Sequence, residues 1–355
     1  MNILDFLYEQ DFKKINFLDR KVSVNSPKTF IYGTNKSGKS YLIYDYLNRF
    51  SKKEVLYIDF NDERVNKEEI KKNLYSFIKS KNIKVLALDN FDFSFEIPDM
   101  ANIVISSNKD REIKNFKKIH LFPLDFEEFI SFYKKYSHPQ AMFNIYAKVG
   151  TYPKNVLHSK DFLYQNIQEM LKISLTKEEF LIFKQFAISQ GKKKSLFQIF
   201  NEIKKENKIS KDLFYKTVND LKDKDFIFLV EKFNQPRAYK KIHLIDFTLK
   251  SAFSFQKDFM KIFENMIFLE LIKRGYDLSY TDSIELFSSK NKSAFLAMPF
   301  LPLEIIKTKL NILKKEFKKL QIEKVYVITL EYEEEFISED IKYEIKTFWN
   351  FASNI

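Results

Sequence analysis

The sequence has no cysteine and only four histidines, five glycines and eight prolines in 355 residues. Without cysteine there is neither a disulfide framework nor a thiolate metal site, and four scattered histidines leave little for zinc. So few glycines and prolines argue against a collagen-like or linker-rich chain. No run of about 18 uncharged apolar residues occurs, which excludes an ordinary membrane-spanning helix. The opening stretch MNILDFLYEQDFKKINF carries Asp5 and Glu9 inside its apolar pattern and lacks the basic start and unbroken apolar core of a secretory leader. A soluble, cytoplasmic protein with no membrane partner is expected.

What is abundant is core material and positive charge. Apolar residues make up 45% of the chain, with 39 Phe and 19 Tyr, enough for two or three units that each bury a core. The formal net charge is +12, and 54 of the 60 basic residues are Lys, a bias that an AT-rich genome produces. Position is more informative than the total. Residues 151–250 hold 20 basic against 12 acidic side chains, whereas 1–150 hold 25 against 20 and 251–355 hold 15 against 16. A uniform codon bias does not concentrate charge this way, so a polyanionic partner is expected for the middle of the chain.

From residue 29, short apolar runs alternate with helix-like segments: TFIY (29–32), YLIYDYLNRF (41–50), VLYIDF (55–60), EEIKKNLYSFIKS (68–80), KVLALDNF (84–91) and NIVISSN (102–108). Runs of four to six residues, apolar on both faces, predict a parallel sheet covered by helices. From about 120 to 225 a 3.6-residue period takes over, and Ser210 is placed to cap the helix that follows it. Two strand-like runs then flank NQPR (226–247), giving three helices and a basic hairpin, the layout of a winged helix-turn-helix. From 257 a helix, several strand-like pieces, a second helix and KVYVITLEY predict a smaller α/β unit.

Residues 33–40, GTNKSGKS, match G-x-x-x-x-G-K-[ST] between an apolar strand and an amphipathic helix. Glycines at both ends allow close backbone approach, so that successive N–H groups converge on phosphate oxygens at the positive end of the next helix. The expected nucleotide-binding residues are Gly33, Thr34, Asn35, Lys36, Ser37, Gly38, Lys39, Ser40 and Tyr41. Lys39 is expected on the β and γ phosphates of ATP, and Ser40 with Asp89, at the end of VLALD, on Mg²⁺. Asn90 occupies the position where a water-polarising Glu is common, and an amide orients water without accepting its proton. Asp92 is a substitute acid two residues on. Asn108, backed by Ser107, is the candidate γ-phosphate sensor, and Arg111 a candidate finger toward a neighbouring subunit.

The strings GTNKSGKS, LALDN, VISSN, LFPLDFEEF (121–129), VGTYPKNV (149–156), KKIHLIDFTL (240–249) and FENMIFLELIKRG (263–275) occur in this order. Together they resemble the AAA+-like ATPases of bacteria and archaea that carry a C-terminal DUF4143 region. The resemblance implies a P-loop NTPase parallel sheet domain over 1–155, a helical, winged helix-turn-helix domain over 156–250 and a degenerate PD-(D/E)xK nuclease-like α/β domain over 251–355. Three positions depart from the family pattern. Asn90 replaces Glu, Gly150-Thr151-Tyr152-Pro153 replaces G-G-x-P, and the position of the arginine usual before L-x-P-L falls among residues 115–118, which contain no arginine.

In a winged helix the third helix enters the major groove and the wing meets the backbone. Residues 192–241 are therefore expected to engage double-stranded DNA, through Lys211, Tyr215, Lys216 and Asn219 on that helix and Arg237, Lys240 and Lys241 on the wing, with Lys192, Lys193 and Lys194 adding phosphate contacts. In the tail, Glu264 fits the helical acid of a nuclease and Asp282 or Glu285 the strand acid. SAFLAMPFL, however, has no ionisable group where an acid and a lysine belong, so nuclease activity is not expected. The function that follows is an ATP- and Mg²⁺-binding ATPase that couples nucleotide state to DNA, with slow hydrolysis. The alternative is a nucleotide-gated scaffold that holds a protein partner or another copy of itself and hydrolyses little.

Overall fold

The computed structural model describes residues 3–10, 20–133, 138–157, 162–256 and 258–354. The chain divides into two compact units, Met1–Pro123 and Leu124–Ile355, where the sequence reading placed boundaries near 155 and 250.

The first unit contains α1 (Ile3–Glu9), β1 (Lys28–Tyr32), α2 (Lys39–Leu47), β2 (Val55–Asp59), α3 (Lys67–Lys81), β3 (Val85–Asp89), β4 (Asn102–Ser107) and β5 (Lys117–His120). Its five strands form a parallel sheet in the order β2-β3-β4-β1-β5. Alternate strand residues bury on opposite faces. Ile31, Val55, Ala87 and Val104 pack with Leu42 and Ile43 of α2, while Phe30, Leu56, Leu88 and Ile105 pack with Leu4 of α1 and Ile70 and Leu74 of α3. A strand covered on both faces needs no polar alternation, which is why β3 is buried at all five positions. Asn66 caps α3 by accepting from the N–H groups of Glu68 and Glu69.

The second unit runs α4 (Phe126–Tyr133), α5 (Pro139–Val149), α6 (Pro153–Leu157), α7 (Leu163–Ser174), α8 (Lys177–Ile188), β6 (Lys193–Lys194), α9 (Leu196–Lys204), α10 (Lys211–Asp223), β7 (Ile227–Lys232) and β8 (Lys240–Leu244). It continues through α11 (Phe259–Lys273), β9 (Ser279–Tyr280), β10 (Leu286–Ser288), β11 (Ser293–Ala297), α12 (Leu303–Lys319), β12 (Lys324–Thr329), β13 (Glu334–Ser338), β14 (Ile341–Thr347) and α13 (Phe348–Asn354). Ser210 does cap α10, accepting from the Leu213 N–H. The basic hairpin β7–β8 and the tail strands belong to one mixed sheet, ordered β13-β14-β12-β11-β10-β9-β7-β8-β6, joined by the parallel pairing of β7 with β9. The end of FEEFISFYKKY, read as helical, lies outside the described residues.

Candidate nucleotide site

The loop between β1 and α2 is built around Lys39. β1 ends at Tyr32, and Gly33 follows at φ 136° in a position where a Cβ would overlap the carbonyl of Leu121. Gly38, at φ 105°, is the N-cap of α2. Both conformations favour glycine. The Lys39 ammonium is buried and donates to the carbonyls of Gly33 and Thr34, each at 2.8 Å, so the loop winds around its own lysine. From outside, Arg20 donates to the Ser37 carbonyl and to the Phe122 carbonyl, both at 2.8 Å, and ties the loop to the segment after β5. Sequence reading missed Arg20, because nothing local marks a residue that acts 17 and 102 positions away.

Two side chains in this loop are buried without an internal partner. Among the described residues the hydroxyls of Thr34 and Ser37 find no hydrogen-bond partner, although buried hydroxyls are nearly always satisfied. Ser40 lies half-buried in the first turn of α2, Lys36 is exposed at φ 64°, Asn35 is half-buried, and Tyr41 is exposed with its ring edge-on to Tyr44. The positive end of the helix dipole favours an anion there.

At the end of β3, Asp89 is fully buried and held by three donors. The Tyr57 phenol donates to Oδ2 at 2.7 Å, the Ser106 hydroxyl donates to Oδ1, and the Asn90 N–H donates to Oδ1 at 3.1 Å. Burial first, then the Asp89 charge, keeps the Tyr57 phenol far above its ordinary range, so it remains a donor. Asp59 stands in register beside Asp89 on β2. Burial pushes its carboxyl up against the opposing hydrogen bonds of Asn90 and of the Asn61 N–H. The Asn90 side chain, at φ 54°, turns to this neighbour and donates to Asp59 Oδ1 at 2.8 Å. Asp59 was missed, yet its signal was present: VLYID repeats the pattern of VLALD.

The remaining residues fall as follows. The Ser106 hydroxyl bonds Asp89, Ser107 is buried at the end of β4, and Asn108, the candidate sensor, follows it half-buried. The Arg111 guanidinium lies over the Phe93 ring at 4.6 Å. Asp92 pairs with Lys67 at 2.5 Å, and although burial acts to raise its carboxyl, the bonds from Lys67 and Ser94 outweigh this and hold it low.

In the second unit the basic residues divide. Lys211, Lys216 and Asn219 of α10 and Arg237 of the hairpin loop are exposed, and Tyr215 is half-buried. The wing expectation needs correction at Lys241. Its side chain is 1% exposed and pairs with Glu264 at 2.6 Å and with Glu285, because β8 is an interior strand of the sheet, so it is closed to DNA phosphates. Lys240 pairs with Glu231 and Lys194 with Glu202, at 2.5 and 2.6 Å. Asp282 pairs with Lys232 at 2.7 Å.

Several motif strings from 124 onward turn out to be architectural. Asp125 and Glu128 bond each other's backbone N–H at the start of α4, Glu270 accepts from the Phe126 N–H at 3.0 Å, and the Asn265 amide bonds both the N–H and the carbonyl of Leu244 at 2.9 Å.

Among the described residues no helix is long and apolar enough to cross a membrane, and no group of three or more His, Cys, Asp or Glu is placed to hold a metal. No family model matches the chain. An uncharacterized protein of Methanocaldococcus jannaschii is similar, 28% identical over 333 residues that cover 79% of this chain and 74% of the relative. Among solved structures, the Walker-type ATPase of Pyrococcus abyssi is similar with a TM-score of 0.44 and 15% identity, over 64% of this chain and 91% of that one.

Proposed function

We propose that the first unit binds ATP with Mg²⁺ and hydrolyses it slowly. The observation that carries this reading is the loop wound on Lys39, with the hydroxyls of Thr34 and Ser37 buried in it and lacking partners. A polyphosphate supplies acceptors for these hydroxyls at the positive end of α2. The oxygen donors fit Mg²⁺, which takes one or two protein oxygens together with phosphate and water oxygens: the Ser40 hydroxyl would hold it and the Asp89 carboxylate its water shell. Held there, the metal would supply positive charge that offsets the charge of the phosphates. The chain's own part is to hold the phosphates through Lys39 and the loop amides and to keep the Asp89 carboxyl oriented through Tyr57, Ser106 and the Asn90 N–H.

Slow turnover follows from the carboxylates around Asp89. Asn90 accepts no proton, Asp92 is engaged by Lys67, and Asp59 is engaged by Asn90 and the Asn61 N–H. No glutamate stands at position 90 to polarise the attacking water, and Asp59, the acid in register with Asp89, is tied through Oδ1 to Asn90 and the Asn61 N–H. Steady-state turnover is expected below about 1 s⁻¹, under the ordinary range of enzymes; a phosphate-release assay giving tens of turnovers per second would overturn this part.

The order α8-β6-α9-α10-β7-β8 supports the winged-helix reading of the middle region, and the surroundings of the nuclease-like positions support an inactive tail of the DUF4143 type. Within this account the divisions near 155 and 250 are functional ones. Duplex DNA would meet Lys211, Lys216 and Asn219, and its affinity should then fall steeply with added salt. A second reading, the scaffold with a protein or self partner, is favoured by the carboxylate pairing of Lys194, Lys240 and Lys241, which removes much of the wing's charge. Flat salt dependence, or no DNA binding, would select it.

A further inference from the structure

The second unit contains a cavity of about 810 Å³ between the segment around β6, the start of α11, β11 and α12. Its lining is of two kinds. Leu296, Met298, Ile312, Leu313 and Met260 are apolar. Lys192, Lys193, Lys194, Lys261 and Lys309 are basic, beside Asp258, Glu264 and Glu285.

The three carboxylates are already taken. Lys241, behind the wall, pairs with both Glu264 and Glu285, and Lys261 pairs with Asp258 at 2.8 Å. Lys194 is matched by Glu202, and Lys193 lies 3.8 Å from Glu285, which Lys241 already holds. Among the described residues Lys192 and Lys309 form no ion pair, so the cavity wall has an excess of ammonium groups. The excess is felt nearby. At Lys250, burial first and then the charges of Lys261 and Lys192 push the amine below its usual range, against the opposing pull of Asp258.

We propose that this cavity is a second ligand site, for a nucleoside phosphate, with the phosphate against Lys192, Lys193 and Lys309 and the base against Met260, Met298 and Leu313. The volume lies within the range of small-molecule sites and suits a mononucleotide. Lysine ammonium groups hold phosphate as point charges, and thioethers make favourable contacts with aromatic ring edges. The same chemistry is offered by a free nucleotide and by the phosphorylated end of a nucleic-acid strand.

The test uses the full chain carrying Lys39→Ala, in EDTA, so that the loop at 33–40 does not contribute. Calorimetric titrations with AMP, with a short 5′-phosphorylated oligonucleotide and with the same oligonucleotide lacking the phosphate are compared. One saturable site for a phosphorylated probe is expected, with no binding of the unphosphorylated strand. AMP binding identifies a free nucleotide as the source, and binding of the phosphorylated oligonucleotide alone identifies a strand end. Lys192→Ala with Lys309→Ala should weaken the site at least about tenfold. Ile312→Glu, at an exposed position on the lining, should weaken it similarly through repulsion, with melting curves confirming that both variants fold. Failure of both phosphate probes to bind, equal binding of the unphosphorylated strand, or affinity indifferent to both sets of substitutions overturns the proposal. Failure here leaves ATP binding by the wild-type loop untouched.

Discussion

Lys39→Ala is expected to weaken ATP binding by about 100-fold or more, from the loss of charge-assisted hydrogen bonds to two phosphates at roughly 1.5–3 kcal/mol each. The same substitution removes the two internal bonds to the carbonyls of Gly33 and Thr34. The loop therefore loses the post around which it is wound. Far-UV circular dichroism should be unchanged, because the five-stranded sheet and its two apolar faces do not depend on the ammonium. Titration calorimetry of the variant beside the parent, at one magnesium concentration, checks the prediction. Lys39→Arg should not restore affinity, since a planar fork does not replace a compact ammonium inside a closed loop.

Asp246→Ala should destabilise the second unit by about 4 kcal/mol. The carboxylate is buried and accepts four hydrogen bonds: from the Thr151 N–H at 2.5 Å, the Thr151 hydroxyl at 2.7 Å, the Thr248 N–H at 2.7 Å and the Thr248 hydroxyl at 2.5 Å. Alanine would leave two backbone N–H groups and two hydroxyls buried without acceptors, at roughly 1–3 kcal/mol for each that stays unsatisfied. Gly150, at φ 84°, lies against the same carboxylate, so a Cβ there would sit 2.5 Å from Oδ2 and 2.7 Å from Oδ1. Urea unfolding followed by tryptophan fluorescence reads the change, since Trp349 of α13 packs against the core of this unit. Asp246→Asn, which keeps a carbonyl acceptor, should cost less than Asp246→Ala. An Asp246→Ala loss below about 1 kcal/mol would mean that water replaces the carboxylate.

These two sites differ in how much the sequence disclosed. The loop at 33–40 was legible because its spacing is set by local geometry: glycine at both ends, lysine and serine at the start of the helix. Asp89 was legible for a similar reason, as the first ionisable residue after a buried parallel strand. The position of Asn90 was readable but its direction was not, since its partner Asp59 lies on another strand. In the second unit, Asp246 and Thr151 were visible as parts of two motif strings, yet only folding across 95 positions makes them one network. Thr151, where the resembled pattern has glycine, adds its hydroxyl to that network.

Some elements were hidden for local reasons. β5 reads Lys-Lys-Ile-His and has one buried residue, Ile119, because it is an edge strand. The β13–β14 hairpin turns on Glu339 and Asp340, both at positive φ, where Asn-Gly would have announced it. Lys241 misled because a lysine in a basic hairpin ordinarily faces solvent. Its burial depends on Glu264 and Glu285, 23 and 44 positions further along.

The central claim is that the loop around Lys39 accepts a triphosphate. Calorimetric titration of the full chain with ATP and Mg²⁺, run in parallel on the parent and on Lys39→Ala, tests it most directly. The account predicts one saturable site in the parent and a loss of about 100-fold or more in the variant; no heat of binding in the parent at millimolar ATP, or equal affinity in both proteins, would contradict it.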